Sequence, residues 1–258
     1  MTIPIPKKAT GSHFYRYSSA DHPEWVKEII LKHELYLPSL NELNDPADGR
    51  PKLAPLSEEQ MIRFLLSDVV QRNPTWRLEK LEHEAAVIRY NVRLHGTEVL
   101  LRQMSELLNS ELEGYRIYSL SKRPDNQALW AKYAGNHTGY CLEFRNEGPL
   151  FACAKEVTYG DATEMDVQNR EHRSGYWFFC KRKEWSNEEE IRLVLPRGKG
   201  RKVKIEPQWL TRLIVGKNMT EVHRKTIREW AKERQPELIV IEAYYDALHQ
   251  ALRLRTPP

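Results

Sequence analysis

Cysteine is scarce in this chain: there are 3 cysteines among 258 residues, and they form no C-x-x-C pair. Disulfide frameworks and structural zinc sites both need more cysteines at closer spacing. The sequence therefore argues against a disulfide-stapled fold. A sparse, odd set is typical of a reducing cytosol, and we expect Cys141, Cys153 and Cys180 to be small core residues rather than nucleophiles.

Long apolar runs are also missing. No stretch approaches the roughly 18 consecutive apolar residues of a membrane span, and the segment 1–8 has no apolar run of the kind found in signal peptides. Hydrophobic residues make up 40% of the chain and charged residues 29%, with a formal net charge of +4. Such a mildly basic balance does not by itself predict a nucleic-acid binder. We therefore expect a globular, cytoplasmic protein with no membrane partner.

The usual phosphate and metal motifs are absent as well. Gly198-Lys-Gly200 lacks the spacing of a P-loop or a dinucleotide fingerprint, and there is no H-x-x-x-H or H-E-x-x-H set. His137 accordingly has no partner spacing for zinc. Asp45 and Asp48 could bind a divalent cation, but Asn and Asp in such a segment usually bond their own backbone in a turn. We predict a loop there and no metal.

The pattern that is present predicts an α+β fold: a single mixed-sheet domain over 1–258 with a helical insertion at about 57–110. Ser57-Glu-Glu-Gln60 is typical of a capping box, and apolar residues follow it at helical spacing, whereas short β-prone runs flank the insertion. Strands are predicted at 14–17, 34–37, 116–121, 139–144, 155–159, 190–195, 210–215 and, as the last, from 236 to 241 or beyond. Helices outside the insertion are predicted from 21, at 126–134, at 166–181 and at 220–233.

Two polar motifs lie on these predicted strands. The guanidinium of Arg16 could hold a phosphate through two parallel hydrogen bonds, although a surface Arg covering neighbouring rings has the same pattern. Ser119 and Ser121 share a strand face, and small hydroxyls let a ligand approach the sheet and bond to it. A half-exposed strand with outward polar residues explains the two serines equally well.

A third motif, E-x-E, is chemically more specific. Alternate residues of a strand share a face, so we expect Glu188, Glu190 and Arg192 together on one side. Cleavage of NAD at the nicotinamide bond passes through an oxocarbenium-like sugar, which a nearby carboxylate stabilises, and a second carboxylate could orient or deprotonate the acceptor. Alternatively, these acids form surface ion pairs with neighbouring Lys and Arg residues, each contributing about 0–1 kcal/mol.

The order Arg, S-x-S, E-x-E resembles that of ADP-ribosyltransferases of the Arg/Ser/Glu type. The resemblance implies a split sheet, a catalytic Glu190 and an acceptor-facing Glu188. It also implies that Arg16 contacts NAD as cofactor-substrate, that Ser119 holds the site together and that Ser121 shapes the nicotinamide pocket. The long helical insertion between the Arg and the first Ser departs from that family's pattern.

Short segments along nearly the whole chain, among them Phe14–Tyr17, Tyr118–Ser121 and His137–Phe144, also resemble a bacterial family catalogued as domain of unknown function 2971. That resemblance implies a cytoplasmic bacterial or phage-related protein, sometimes encoded near defence genes. It implies no particular reaction.

Two further clusters complete the candidate sites. Trp130 and Tyr133 share a helix face at i, i+3, where they form either core packing or an aromatic wall that stacks a ring of NAD. Arg201 and Lys202 lie at the centre of a basic turn that could neutralise nucleic-acid phosphates; a solvated hairpin turn is the alternative.

Three functions are consistent with these patterns. The leading hypothesis is an ADP-ribosyltransferase-like enzyme, a toxin or antiviral defence effector that transfers ADP-ribose from NAD to an unknown protein or nucleic-acid acceptor, or to water. The second is a non-enzymatic nucleic-acid- or protein-binding module with a defence-system partner. The third is a metal-dependent nuclease built from Asp45, Asp48, Glu188 and Glu190.

Overall fold

A computed structural model of the chain describes residues 6–45, 48–50, 52–160, 164–165, 176–196, 198 and 200–256. Its strands, in chain order, are β1 His13–Ser18, β2 Glu34–Tyr36, β3 Lys52–Leu53, β4 Arg116–Ser121, β5 Tyr140–Arg145, β6 Lys155–Glu156, β7 Thr158–Tyr159, β8 Glu164–Met165, β9 Cys180–Lys181, β10 Glu190–Leu195, β11 Lys202–Lys204, β12 Leu210–Val215, β13 Ile239–Asp246 and β14 Ala251–Arg255. Its α-helices are α1 Pro23–Lys27, α2 Glu58–Arg72, α3 Leu78–His95, α4 Thr97–Leu112, α5 Gln127–Lys132, α6 Gly148–Ala152 and α7 Glu221–Glu233.

The helices of the insertion begin and end where local chemistry dictates. The Ser57 hydroxyl accepts from the Gln60 amide at 3.2 Å and the Gln60 side chain accepts from the Ser57 amide at 2.9 Å, which is the predicted capping box. α2 ends at Arg72, just before Asn73 and Pro74, because proline cannot continue the hydrogen-bond ladder. Three consecutive helices, α2 to α4, therefore fill the segment where the helical insertion was predicted.

A mixed sheet forms the centre of the fold, in the order β14-β13-β12-β5-β1-β4-β10-β6. β12 and β13 run parallel, and the other neighbours run antiparallel. Strand alternation sends Phe14, Leu120 and Leu142 into one core cluster, and Cys141 and Ile214 into another on the opposite face. The predicted mixed α+β class is confirmed.

The sheet opens between β1 and β4. Among the described residues these strands pair at one position, Tyr15 opposite Ser121, whereas β1 pairs with β5 from His13 to Ser18. Beyond that position the edge of β4 pairs with the segment after β2, where the Ile117 amide donates to the Pro38 carbonyl at 2.8 Å. We call this opening the split. The strands on its two sides belong to one hydrogen-bonded sheet, and the split-sheet arrangement that the ADP-ribosyltransferase resemblance implies stays a prediction.

The structure corrects three predictions of secondary structure. The segment 155–159 is two short strands, because β6 pairs with β10 and β7 pairs with β9. The predicted helix to Lys181 is wrong at its described end, where a 3₁₀ turn over Tyr176–Phe179 leads into β9, and 166–175 lies outside the described residues. β13 is not the last strand, since β14 pairs antiparallel with it.

Candidate active site

A cleft of about 250 Å³ lies at the split. Sequence-distant segments converge on it because β1, β4 and β10 are neighbours in the sheet. Of the residues singled out from the sequence, those that line it are Arg16, Ser119, Ser121, Tyr133, Glu188 and Glu190, together with Asp48. The three motifs thus meet in one place.

Glu190 begins β10 opposite Ser121 and is 4% exposed. Its two carboxylate oxygens accept from the Arg192 guanidinium at 2.6 and 3.0 Å, and one of them also accepts from the Lys181 ammonium at 3.0 Å. Burial alone would raise the pKa of Glu190, but Arg192 and Lys181 outweigh it and lower that pKa to about 2. The carboxylate therefore remains charged at any physiological pH.

Arg192 is the centre of a buried ion network. Its guanidinium is 1% exposed and, besides Glu190, it binds both carboxylate oxygens of Asp48 at 2.8 and 2.6 Å. Burial opposes the charged form, yet the two acids raise the pKa of Arg192 well above its ordinary value. Sequence reasoning missed this role of Asp48, because the two residues lie 144 positions apart and nothing local links them.

Lys181 lies among the three acids of the cleft. Its ammonium is 2.6 Å from Glu188, 3.0 Å from Glu190 and 3.8 Å from Asp48. Burial would lower the pKa of Lys181, but Glu190 and Asp48 raise it above its ordinary value despite the nearby Arg192. A cation of the protein thus lies between these carboxylates. Among the described residues, no group of three or more His, Cys, Asp or Glu side chains is placed so that it could hold a metal ion.

Glu188 reaches the cleft by a route that strand alternation did not predict. It ends a 3₁₀ helix over Lys183–Glu188, and the next residue, Glu189, has a left-handed backbone with φ 46°. The prediction that Glu188 shares the strand face of Glu190 is wrong, because the strand begins only at Glu190, two residues later. The turn still brings both carboxylates to Lys181, and the Tyr133 hydroxyl donates to Glu188 at 2.8 Å.

The two serines and Arg16 approach the split from different sides of the sheet. Ser119 and Ser121 alternate with inward apolar residues, and the Ser121 hydroxyl donates to the Glu188 carbonyl at 3.1 Å. Arg16 pairs in register with Leu142 and so starts from the opposite face. Its guanidinium reaches across the split to the Ser119 carbonyl at 2.8 Å. No carboxylate among the described residues pairs with Arg16.

The aromatic pair is divided between the cleft and the core. Tyr133 lines the cleft, and burial, reinforced by Glu188, raises the pKa of its hydroxyl. Trp130 is fully buried, packs edge-on against Tyr17 at 5.4 Å and donates its indole N–H to the Pro124 carbonyl at 2.8 Å. The prediction of Trp130 as a ligand-stacking wall is therefore wrong, because all of its surface contacts protein.

The two central cations of the basic turn are paired with acids of neighbouring segments, whereas Arg197 and Lys199 lie outside the described residues. β11 pairs with β2, which brings the Arg201 guanidinium to 3.0 Å from Glu42 and the Lys202 ammonium to 2.7 Å from Glu28. Paired charges of this kind leave little net positive potential for phosphates. The predicted nucleic-acid patch at Arg201 and Lys202 gains no support from this geometry.

Comparison of the chain with models of protein families, with curated proteins and with solved structures gave no match. The two family resemblances therefore stay predictions. Separately, none of the helices in the described part of the chain has the length and apolar composition needed to cross a membrane.

The low pKa of Glu190 implies that the stability of the folded protein depends on pH in the acidic range. The pKa of the Glu190 carboxylate is about 2 in the folded protein, against an ordinary value of 4.5. The carboxylate therefore stabilises the fold fully above pH 4.5, and this contribution is lost as the pH falls towards 2. We expect the difference in unfolding free energy between wild type and Glu190→Gln to narrow below about pH 4.5. Denaturant unfolding across this range measures it, and a difference independent of pH would contradict the assignment.

Proposed function

We propose that this protein is an ADP-ribosyltransferase-like enzyme that binds NAD in the cleft and cleaves the bond between nicotinamide and ribose. The observation that carries the proposal is the convergence of Arg16, Ser119 and Glu190 on one cleft at the split of the sheet. We place its action in the bacterial cytoplasm, with a protein side chain, a nucleic acid or water as acceptor, and with a toxin or defence role.

The chemistry follows from the charge at the cleft. As the C–N bond breaks, nicotinamide leaves with the bonding electron pair and positive charge develops on the ribose. Glu190, anionic because of its depressed pKa, stabilises that charge as a fixed carboxylate rather than as an acid. The acceptor then bonds to the ribose carbon and releases a proton, for which Glu188, two residues away and bound to Tyr133, is the assigned base.

Arg16 supplies the positive charge that the pyrophosphate needs. Its guanidinium has one hydrogen bond, to the Ser119 carbonyl, and no carboxylate partner among the described residues, so further N–H donors are available to an anion. Its planar fork can bind two phosphate oxygens at once, which an ammonium cannot do. This is the position from which a dinucleotide would be held with its nicotinamide end towards Glu190.

The direct test is release of nicotinamide from NAD, with and without candidate acceptors. For the Arg16→Lys variant we expect KM for NAD to rise about tenfold, because one charged hydrogen bond of a bidentate pair is lost. The Arg63→Lys variant is the matched control, since it makes the same substitution at an exposed residue of α2 that pairs with Glu59 and lines neither cavity. No nicotinamide release by wild type with any acceptor class would count against the proposal.

Neither alternative function has an observation of comparable weight. The nucleic-acid-binding module would use Arg201 and Lys202, both of which are held in ion pairs. The nuclease would use Asp45, Asp48, Glu188 and Glu190. Arg182 pairs with Asp45, and the oxygens of the other three acids are bound by Arg192 and Lys181. Salt-dependent binding of RNA or DNA that disappears on charge reversal of the basic turn would reopen the first alternative.

A further inference from the structure

A second, larger cavity of about 650 Å³ adjoins the cleft and shares Arg16, Pro38 and Glu42 with it. Its floor is the face of β1, β4 and β5 that carries Tyr118, and its walls come from α1, from the π-helical turn Glu28–Lys32 that continues α1 and from β2. We call it the aromatic groove. Its aromatic side chains are Trp25, Tyr36, Tyr118 and Tyr140.

Acids outnumber cations in the lining of the aromatic groove, which holds Glu24, Glu28, Glu34 and Glu42 against Arg16 and Lys202. Lys202 lies 2.7 Å from Glu28 and 3.7 Å from Glu34, and Glu42 accepts from Arg201 at 3.0 Å. Arg16, at the junction with the cleft, is the one cation among the described lining residues of the two cavities with which no acid pairs. An occupant of the groove would therefore carry no negative charge except at the Arg16 end, where an anionic group meets an unpaired guanidinium.

The ring surfaces of the aromatic groove favour a planar occupant. Trp25 is 56% exposed and Tyr36 is 43% exposed, both unusually open for side chains of their size. The Tyr118 ring lies under the Arg16 guanidinium at 5.0 Å, and its hydroxyl is buried with no hydrogen-bond partner among the described residues. Buried polar groups are normally paired, so this hydroxyl is suited to a polar atom of a ligand.

We infer that the aromatic groove binds the base and ribose of a purine nucleotide whose phosphate lies on Arg16. The identification of that nucleotide as the adenosine end of NAD rests on the proposed function. The dinucleotide then spans both cavities, with its pyrophosphate at Arg16 where they meet, its adenine against Trp25 and its nicotinamide ribose beside Glu190.

The test is binding of AMP to the full-length protein by titration calorimetry. Base stacking on an aromatic side chain is a major part of such binding, so we expect Trp25→Ala to weaken AMP affinity about tenfold. Tyr118→Phe removes a hydroxyl that has no hydrogen-bond partner in the described part of the chain, so the variant should fold as stably as wild type yet bind AMP more weakly. Tyr90→Ala, which truncates a 65% exposed ring on the distant α3, is the matched control and should bind like wild type.

The outcomes separate this inference from the proposed function. AMP binding that Trp25→Ala and Tyr118→Phe weaken, and that Glu190→Gln leaves unchanged, supports the groove assignment even if NAD is not cleaved. NAD cleavage with the same KM in wild type, Trp25→Ala and Tyr118→Phe would overturn the groove assignment while leaving the proposed function standing. Absence of AMP binding to wild type would also overturn it.

Discussion

Replacing Glu190 with Gln is expected to lower the rate of nicotinamide release from NAD by at least about a hundredfold, a typical loss when one group that stabilises transition-state charge is removed. The amide keeps nearly the same shape and leaves Ser119 and Ser121 in place, but it cannot carry the negative charge that Arg192 and Lys181 hold on Glu190. The loss should fall on kcat, because the charge it stabilises develops after NAD has bound.

The matched control is Glu189→Gln. Glu189 is adjacent in sequence and carries the same charge, but its side chain is 39% exposed and lies 3.7 Å from Arg123 at the surface. We expect its turnover to match that of wild type. Because Glu190→Gln also removes a buried charge, turnover is compared well below the unfolding temperature of each variant, and AMP affinity reports whether the substrate site is intact. Equal turnover in Glu190→Gln and wild type would contradict the catalytic role.

Replacing Arg192 with Met is expected to lower the free energy of unfolding by about 3–5 kcal/mol, since it leaves buried acids without their counter-ion. Arg192 is 1% exposed, and Asp48 and Glu190 are buried as well. Its guanidinium binds both oxygens of each of the two carboxylates. Met fills similar space without charge, so the loss reports the stranded carboxylates rather than a cavity. Denaturant or thermal unfolding measures it.

Arg182→Met provides the comparison for that variant. Arg182 also lies between two acids, 3.1 Å from Asp45 and 3.0 Å from Glu184, but its side chain is 50% exposed. Water already solvates such pairs, so the loss should be under about 1 kcal/mol. A double variant, Arg192→Met with Asp48→Leu, should recover part of the stability by removing one stranded charge. Similar losses for the Arg192 and Arg182 variants would show that the buried network does not stabilise the fold.

The sequence by itself determined many of the secondary-structure elements and the order in which the polar motifs follow one another. Strands β4, β10 and β12 match their predicted bounds, because alternation of apolar and polar residues depends only on neighbours along the chain. The capping box at Ser57 and the break at Pro74 are local in the same sense. Arg16, the two serines and Glu190 could likewise be proposed together, since each motif is recognisable within a few residues.

Only the tertiary structure decided which charges meet and which faces they share. The pairing of Arg192 with Asp48, the position of Lys181 among three acids and the reach of Arg16 across the split depend on strand order and on one left-handed residue, Glu189. Tertiary packing likewise decided that Trp130 lies in the core and that Arg201 and Lys202 form ion pairs. Burial and charge pairing depend on residues that lie far apart in the chain. Local sequence patterns therefore cannot predict which side chains are buried or which charges pair.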